Sequence, residues 1–142
     1  MKKQTKVFYL CGGMTGLSKE ERGKWRKDMV QAFSEWPHVN CFNPEDHWDI
    51  EDPTVNDKAA MDYDLHRLRN ADLVVINFNN PRSLGSMAEL GIAYELRIPI
   101  LGLNPSKDDF MLHPWQFNMC NQVFHDMDSL IDYIRKHYLF DD

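Results

Sequence analysis

The chain has 142 residues, enough for one domain with a single substantial core and too few for two domains of ordinary size. With 43% apolar and 27% charged residues it has the balance of a soluble globular protein. A net charge of −6 excludes the basic footprint of a duplex nucleic-acid binder, but leaves room for a small phosphorylated ligand, which needs only local donors.

The three cysteines, Cys11, Cys41 and Cys120, are odd in number and have no C-x-x-C spacing, so neither a zinc site nor a disulfide framework is expected. Cys11 and Cys41 each end an apolar run and read as buried free thiols. No apolar run approaches ~18 residues, so no signal peptide or membrane span is read, and a cytosolic location is expected.

Lys6 to Cys11 is a short apolar run closed by Gly12-Gly13, the pattern of a buried first strand. The loop Gly12-Gly13-Met14-Thr15-Gly16 is neither G-x-G-x-x-G nor a Walker sequence, which sets aside a dinucleotide or P-loop site. Its glycines let a backbone approach a ligand closely. Ser18 followed by Glu21 forms a capping-box pattern for a helix of about 19–35, with Trp25, Met29, Ala32, Phe33 and Trp36 on its apolar face and Pro37 as its stop. Residues 39–42 form a short second strand.

The irregular stretch 43–57 carries Asp46, His47 and Asp49, in which a metal site can be imagined, although an acidic solvated loop fits the spacing better. Trp48 in it either lines a base pocket or anchors the loop. Asn56 or Asp57 caps a second helix to about Arg69, with Asp62 and Asp64 near its middle. Residues 73–78 are apolar throughout, as a strand covered on both faces should be.

The segment from Asn79 to Gly91 follows as a small-residue loop leading into a helix of about 88–96. A strand over 98–103, a polar and aromatic connection over 104–121, a strand over 122–124 and a closing helix over 129–138 complete the chain. Strands alternating with helices predict an open parallel sheet with helices on both faces, and ligands in such folds lie beyond the carboxyl ends of the strands at the switch point. The loops after the first and third strands then share one crevice.

Three polar side chains are placed at that edge: Tyr9 on the first strand, Asp64 on the second helix and Glu89 at the start of the third. Two carboxyl groups flanking a crevice can divide the breaking of a glycosidic bond, one attacking the sugar C1 and the other managing the leaving group's proton. Taken singly, each has a plainer explanation. Glu89 can be a first-turn carboxylate favoured by the helix dipole, Asp64 an exposed helix residue, Tyr9 a core aromatic and Ser83 an N-cap. Helix amides near 83–87, the hydroxyls of Ser83 and Ser86, and Arg82 can bind a phosphate.

In Tyr9-Leu-Cys-Gly-Gly-Met, Asp64-Leu-His-Arg-Leu-Arg-Asn-Ala-Asp-Leu-Val-Val and Ser83-Leu-Gly-Ser-Met-Ala-Glu89-Leu-Gly-Ile-Ala, the chain resembles the nucleoside 2-deoxyribosyltransferase family from Val7 to about Val123. The resemblance implies one flavodoxin-like (Rossmann-like) α/β domain over 1–142, a three-layer sandwich around a five-stranded parallel sheet. It implies Glu89 as a nucleophile forming a glycosyl-enzyme intermediate, Asp64 as the aspartate assisting base departure, and Tyr9 beside the nucleophile. Water or a second base accepts the sugar, with no metal or organic cofactor.

Family members acting on free nucleosides carry an aspartate six residues before the nucleophile. Ser83 stands there in this chain, as in the branch that hydrolyses 2′-deoxynucleoside 5′-monophosphates. The implied binding set is Gly12, Gly13, Met14, Ser83, Gly85 and Ser86. To these is added His113, at the position of a hydroxyl residue that branch draws from a neighbouring subunit. His113 departs from that branch, as does a Pro81-Arg82 segment one residue longer, and Met14-Thr15-Gly16-Leu17 also resembles a related group of uncertain activity. The partners implied are a small nucleoside or nucleoside monophosphate and further copies of the chain in a homodimer or larger homo-oligomer, which the aromatics Trp115, Phe117 and Tyr138 also suggest. A nucleotide-binding module of the same fold without turnover is the alternative.

Overall fold

The computed structural model describes residues 4–14, 16–49 and 51–139. Five strands, β1 (Lys6–Gly12), β2 (Val39–Phe42), β3 (Leu73–Asn77), β4 (Ile100–Leu103) and β5 (Gln122–Phe124), form one sheet in the order β2-β1-β3-β4-β5. Every neighbouring pair is parallel. The order reverses between β1 and β3, where Gly12 pairs with Asn77 at the carboxyl ends of the two strands. That is the switch point of a flavodoxin-like α/β sandwich, and a crevice opens there because the connections leave the two strands in opposite directions.

The pleat divides the core. Phe8 and Leu10 of β1 with Leu73 and Val75 of β3 face a layer built on α1 (Lys19–Ala32) and α5 (Met127–Tyr138). Tyr9 and Cys11 with Val74 and Ile76 face the opposite layer, built on α2 (Asp57–Arg69) and α3 (Leu84–Glu95). Alternation with a period of two sends Tyr9 to the face that carries α2 and α3. All five residues of β3 are buried, as its apolar run predicts.

Caps set the helix starts. Ser18 and Glu21 make both halves of the capping box, while Asn56 accepts from the Ala59 amide at 2.9 Å. Helix α1 ends at Ala32, three residues before the expected Glu35, with Phe33 as its C-cap buried in the core. The strand expected from Ile98 begins at Ile100, and α5 starts at Met127 because Asp126 caps it. Three short elements were not legible, the first a 3₁₀ turn at Pro44–Asp46 in the stretch read as irregular. The connection over 104–121 contains a 3₁₀ turn at Asp109–Met111 and a short helix, α4 (Pro114–Met119), capped by His113 with Pro114 in its first turn. Trp115 and Phe117 are exposed, as expected, but Tyr138, the last residue of α5, packs against the core.

The third helix corrects a more consequential reading. It starts at Leu84, four residues earlier than expected, because Ser83 caps it by accepting from the Ser86 amide. Glu89 therefore lies in the second turn, beyond the unpaired amides, and the helix dipole does not explain a carboxylate there.

Candidate active site

A cleft of about 230 Å³ opens at the switch point. One wall is the end of β1 and its loop, Gly12 and Met14. The other is the start of α3, Ser83, Gly85 and Ser86. Asp64 and Glu89 line it between them. The loop after β1 and the loop after β3 thus meet, as the topology requires.

Tyr9 is fully buried, and its hydroxyl donates to Glu89 Oε2. Its ring stacks on Phe42 at 5.3 Å between centroids, which fixes the direction of the hydroxyl. Burial raises the Glu89 carboxyl to about 7; the Tyr9 hydrogen bond opposes the rise, the Asp64 charge adds to it, and Arg26 opposes it. Burial and the neighbouring Glu89 push the Tyr9 phenol far above its ordinary range, so it remains a donor at any working pH.

Asp64 is half-buried on α2. Burial raises its carboxyl, while the hydrogen bond from Trp48, then His47 and Arg26, opposes the rise. Trp48 Nε1 donates to Asp64 Oδ1 at 2.9 Å, and its ring meets Tyr63 edge-on. The open question about Trp48 is answered here: it does not line the cleft but orients the carboxyl that does. Oδ1 is engaged, which leaves Oδ2 to carry a proton.

At the other wall Ser83 Oγ and Ser86 Oγ lie 3.1 Å apart at the first turn of α3, and Ser86 is buried. Gly85 beside them is exposed and leaves that turn uncovered. Gly12 has no room for a side chain, since a Cβ would come within 2.9 Å of the Trp25 ring. Gly13 is not on the cleft wall. It packs against Asn80, whose Cβ lies 2.9 Å from where a Gly13 Cβ would stand, and so ties the two loops together. Thr15 lies outside the described residues. His113 and Arg82 do not reach this cleft either. They line a neighbouring one of about 550 Å³ toward α4, and His113 Nδ1 accepts from the Trp115 amide at 3.1 Å.

One charged cleft residue escaped the sequence reading. Arg26, on the core side of α1, has its side chain 1% exposed and still lines the cleft. Its Nη2 donates to the Gly12 carbonyl at 3.0 Å, and its Nη1 to Glu45 Oε1 at 3.4 Å and to the Arg22 carbonyl. The signal available in the sequence was periodicity: Arg26 falls four residues after Arg22 and three before Met29, on the buried stripe of an otherwise polar helix. A charge on that stripe needs a partner or a task.

The three thiols are free. Cys11 is buried as expected, whereas Cys41 is only partly so. Among the described residues no group of three or more His, Cys, Asp or Glu side chains could hold a metal ion, and no helix is long and apolar enough to cross a membrane.

A conserved protein from Enterococcus faecalis superposes with a TM-score of 0.76 at 16% identity, covering 93% of this chain and 98% of that one. The 2-deoxyribosyltransferase of Bacillus psychrosaccharolyticus gives 0.73 at 19% identity, covering 89% and 91%. The CMP N-glycosidase of Clostridium botulinum gives 0.64 at 14% identity, covering 93% and 99%. At such identities these likenesses speak for the fold. A search of curated sequences finds no match. The profile of the family described as Nucleoside 2-deoxyribosyltransferase matches residues 8–131, a span that takes in Tyr9, Asp64, Ser83 and Glu89, and the chain belongs to that family.

Proposed function

We propose that the protein cleaves the N-glycosidic bond of a deoxynucleoside or its 5′-monophosphate through a covalent glycosyl-Glu89 intermediate, and passes the sugar to water or to a second base. The observation that carries this reading is the pair of carboxyl groups in one cleft, one bonded to Tyr9 and the other to Trp48. The two differ in what holds them, as a nucleophile and a proton carrier should.

In the first step Glu89 Oε1, not engaged by Tyr9, attacks C1′. The C1′–N bond breaks, its electron pair goes to the base nitrogen, and protonated Asp64 Oδ2 supplies a proton to the departing base. Tyr9 holds the carboxylate in its rotamer by donating to Oε2. In the second step water attacks C1′ while Asp64 accepts a proton, and the ester to Glu89 breaks. A second base in place of water gives exchange.

The 5′ end of the sugar is assigned to Ser83–Ser86. Two hydroxyls and the open first turn of α3 suit a phosphate, which an aspartate at position 83 would repel. The exposed apolar side chains Leu84, Trp115 and Phe117 support assembly as a homo-oligomer, in which His113 would meet a neighbouring cleft. A binding module without turnover is disfavoured by the raised Glu89 carboxyl: burying a carboxylate costs stability that ligand binding alone does not call for.

The test is incubation with a panel of nucleosides and monophosphates, with and without free acceptor base, followed by chromatography of the bases. Release or exchange of base is expected, and Glu89→Ala should abolish it while leaving ligand binding. Wild-type base release by Glu89→Ala sinks the assignment. Equal turnover of unphosphorylated substrates sinks the role of Ser83.

A further inference from the structure

The Arg26 guanidinium is 1% exposed and closed to any ligand, yet it borders the cleft that holds Glu89 and Asp64. Its surroundings are built to keep it there. Glu45, in the 3₁₀ turn Pro44–Asp46, meets Arg26 Nη1 at 3.4 Å and Arg22 Nε at 3.6 Å. Gly23 lies between the two arginines in α1. A Cβ there would stand 3.3 Å from Glu45 Oε1, so the helix gives up a side chain in its interior to let the carboxylate in. Asn43 fixes the turn by accepting from the Glu45 amide at 3.0 Å. Arg26 Nη2 then donates to the Gly12 carbonyl at 3.0 Å, which ties the charge to the cleft end of β1.

The charges do not balance within this network. Two buried guanidinium groups share Glu45, and the other partner of Arg22, Glu51 at 3.5 Å, has a side chain 72% exposed to solvent. Arg26 Nε is buried with no hydrogen-bond partner. An unmet positive charge therefore remains at the edge of the cleft, where burial weakens screening and lets it act beyond contact distance. The groups it meets there are Glu89 from α3, Asp64 from α2, and Tyr9 and Cys11 from β1, with His47 acting on Asp64 in addition. Burial holds the Tyr9 phenol and the Cys11 thiol far above their ordinary ranges, so the two carboxyls are the groups that can answer Arg26 with a negative charge at neutral pH.

That count fits the first step of the chemistry proposed above, on which the inference rests. Before attack Glu89 is ionised and Asp64 carries a proton. Attack turns the Glu89 carboxylate into an ester, and the Asp64 proton leaves on the base, so Asp64 becomes the anion. One negative charge is present on both sides of the step and moves from one carboxyl to the other. We infer that Arg26, anchored by Glu45, is a positioning residue for both carboxyls: its fixed buried charge holds the pair to one proton and stays matched while the negative charge passes from Glu89 to Asp64. Without it the pair takes up a second proton at neutral pH and the nucleophile is lost.

The titration of Glu89 in the ligand-free protein tests this, followed by the ¹³Cδ shift of labelled glutamate with Glu89→Gln identifying the resonance. Arg26→Met keeps the stem and removes the charge, and should raise the Glu89 midpoint by at least about half a unit. Glu45→Gln keeps the shape and leaves the positive charge less opposed, and should lower the midpoint. Both variants break the same ion pair, so a merely structural role moves the midpoint in one direction in both. No shift in Arg26→Met, or shifts of one sign in the two variants, overturns the inference. Where Arg26→Met does not fold, Glu45→Gln decides, and a rise or no change in it overturns the inference. With a substrate, the acidic limb of kcat/KM should move up in Arg26→Met and down in Glu45→Gln, and a limb that stays in place in both overturns the role in the step. The titrations need no substrate, so they decide on Arg26 separately from whether the protein releases base.

Discussion

Removing the Tyr9 hydroxyl isolates the device proposed to keep Glu89 ready to attack. Tyr9→Phe keeps the ring and its stacking on Phe42, so the packing around the site is preserved. What is lost is one hydrogen bond donated to Glu89 Oε2. A hydrogen bond to a charged group is worth roughly 1.5–3 kcal/mol, and at about 1.4 kcal/mol per pKa unit that is roughly 1–2 units. In the intact protein the Glu89 carboxyl stands at about 7 with this bond already opposing the effect of burial. In Tyr9→Phe it should titrate at roughly 8–9. The readout is the ¹³Cδ shift of labelled glutamate against pH, with Glu89→Gln identifying the resonance. It needs no substrate. With a substrate in hand, the acidic limb of kcat/KM should move upward by the same amount, so that activity at pH 7 falls roughly tenfold. A Glu89 titration that stays in place or moves downward refutes the reasoning, since it would mean that the Tyr9 bond stabilises the protonated acid.

Because the Glu89 carboxyl is raised from 4.5 to about 7 by folding, the folded state holds more protons than the unfolded one between those values, and stability should fall as pH rises through that window and level off above it. Glu89→Gln should remove up to about 3 kcal/mol of that fall, measured as the difference in urea unfolding free energy between pH 5 and pH 8 in the two proteins. Trp48→Phe deprives Asp64 Oδ1 of its donor, and kcat should drop about tenfold with little change in KM; steady-state kinetics over a pH series checks it. Ser83→Asp keeps an oxygen able to cap α3, so melting should be nearly unchanged, while turnover of a 5′-monophosphate relative to its nucleoside should fall at least about tenfold. Gly12→Ala forces a Cβ against the Trp25 ring and should cost about 1–3 kcal/mol in denaturant melts.

What the sequence disclosed follows from the range over which its signals act. The strands were legible because an apolar run covered on both faces has few other uses, and β3 is buried at every position. Ser18 and Glu21 announced α1 because a capping box is a contact three residues long. The placement of Tyr9 beside Glu89 needed only the alternation of β1 and the parallel order of the strands, and the structure joins the two side chains across 80 positions of sequence. The start of α3 was misplaced because 84–87 has no apolar periodicity. Ser83 was read as an N-cap, but the helix was still begun at Ala88, and that error made the dipole explanation of Glu89 look stronger than it is. Helix α4 was missed because six residues with Pro114 at the front look like a turn.

Arg26 was missed for a different reason. In α1 the residues Lys19, Lys24, Lys27 and Arg22 surround it in sequence, and a charge among charges on a polar helix reads as solvent-facing. Only the third dimension shows that its guanidinium is buried over the Trp25 ring and borders the cleft at the end of β1. Local pattern can single out carboxylates that are chemically unusual in place. A buried arginine on a charged helix is ordinary in type, and its place comes from where the fold lets its head end.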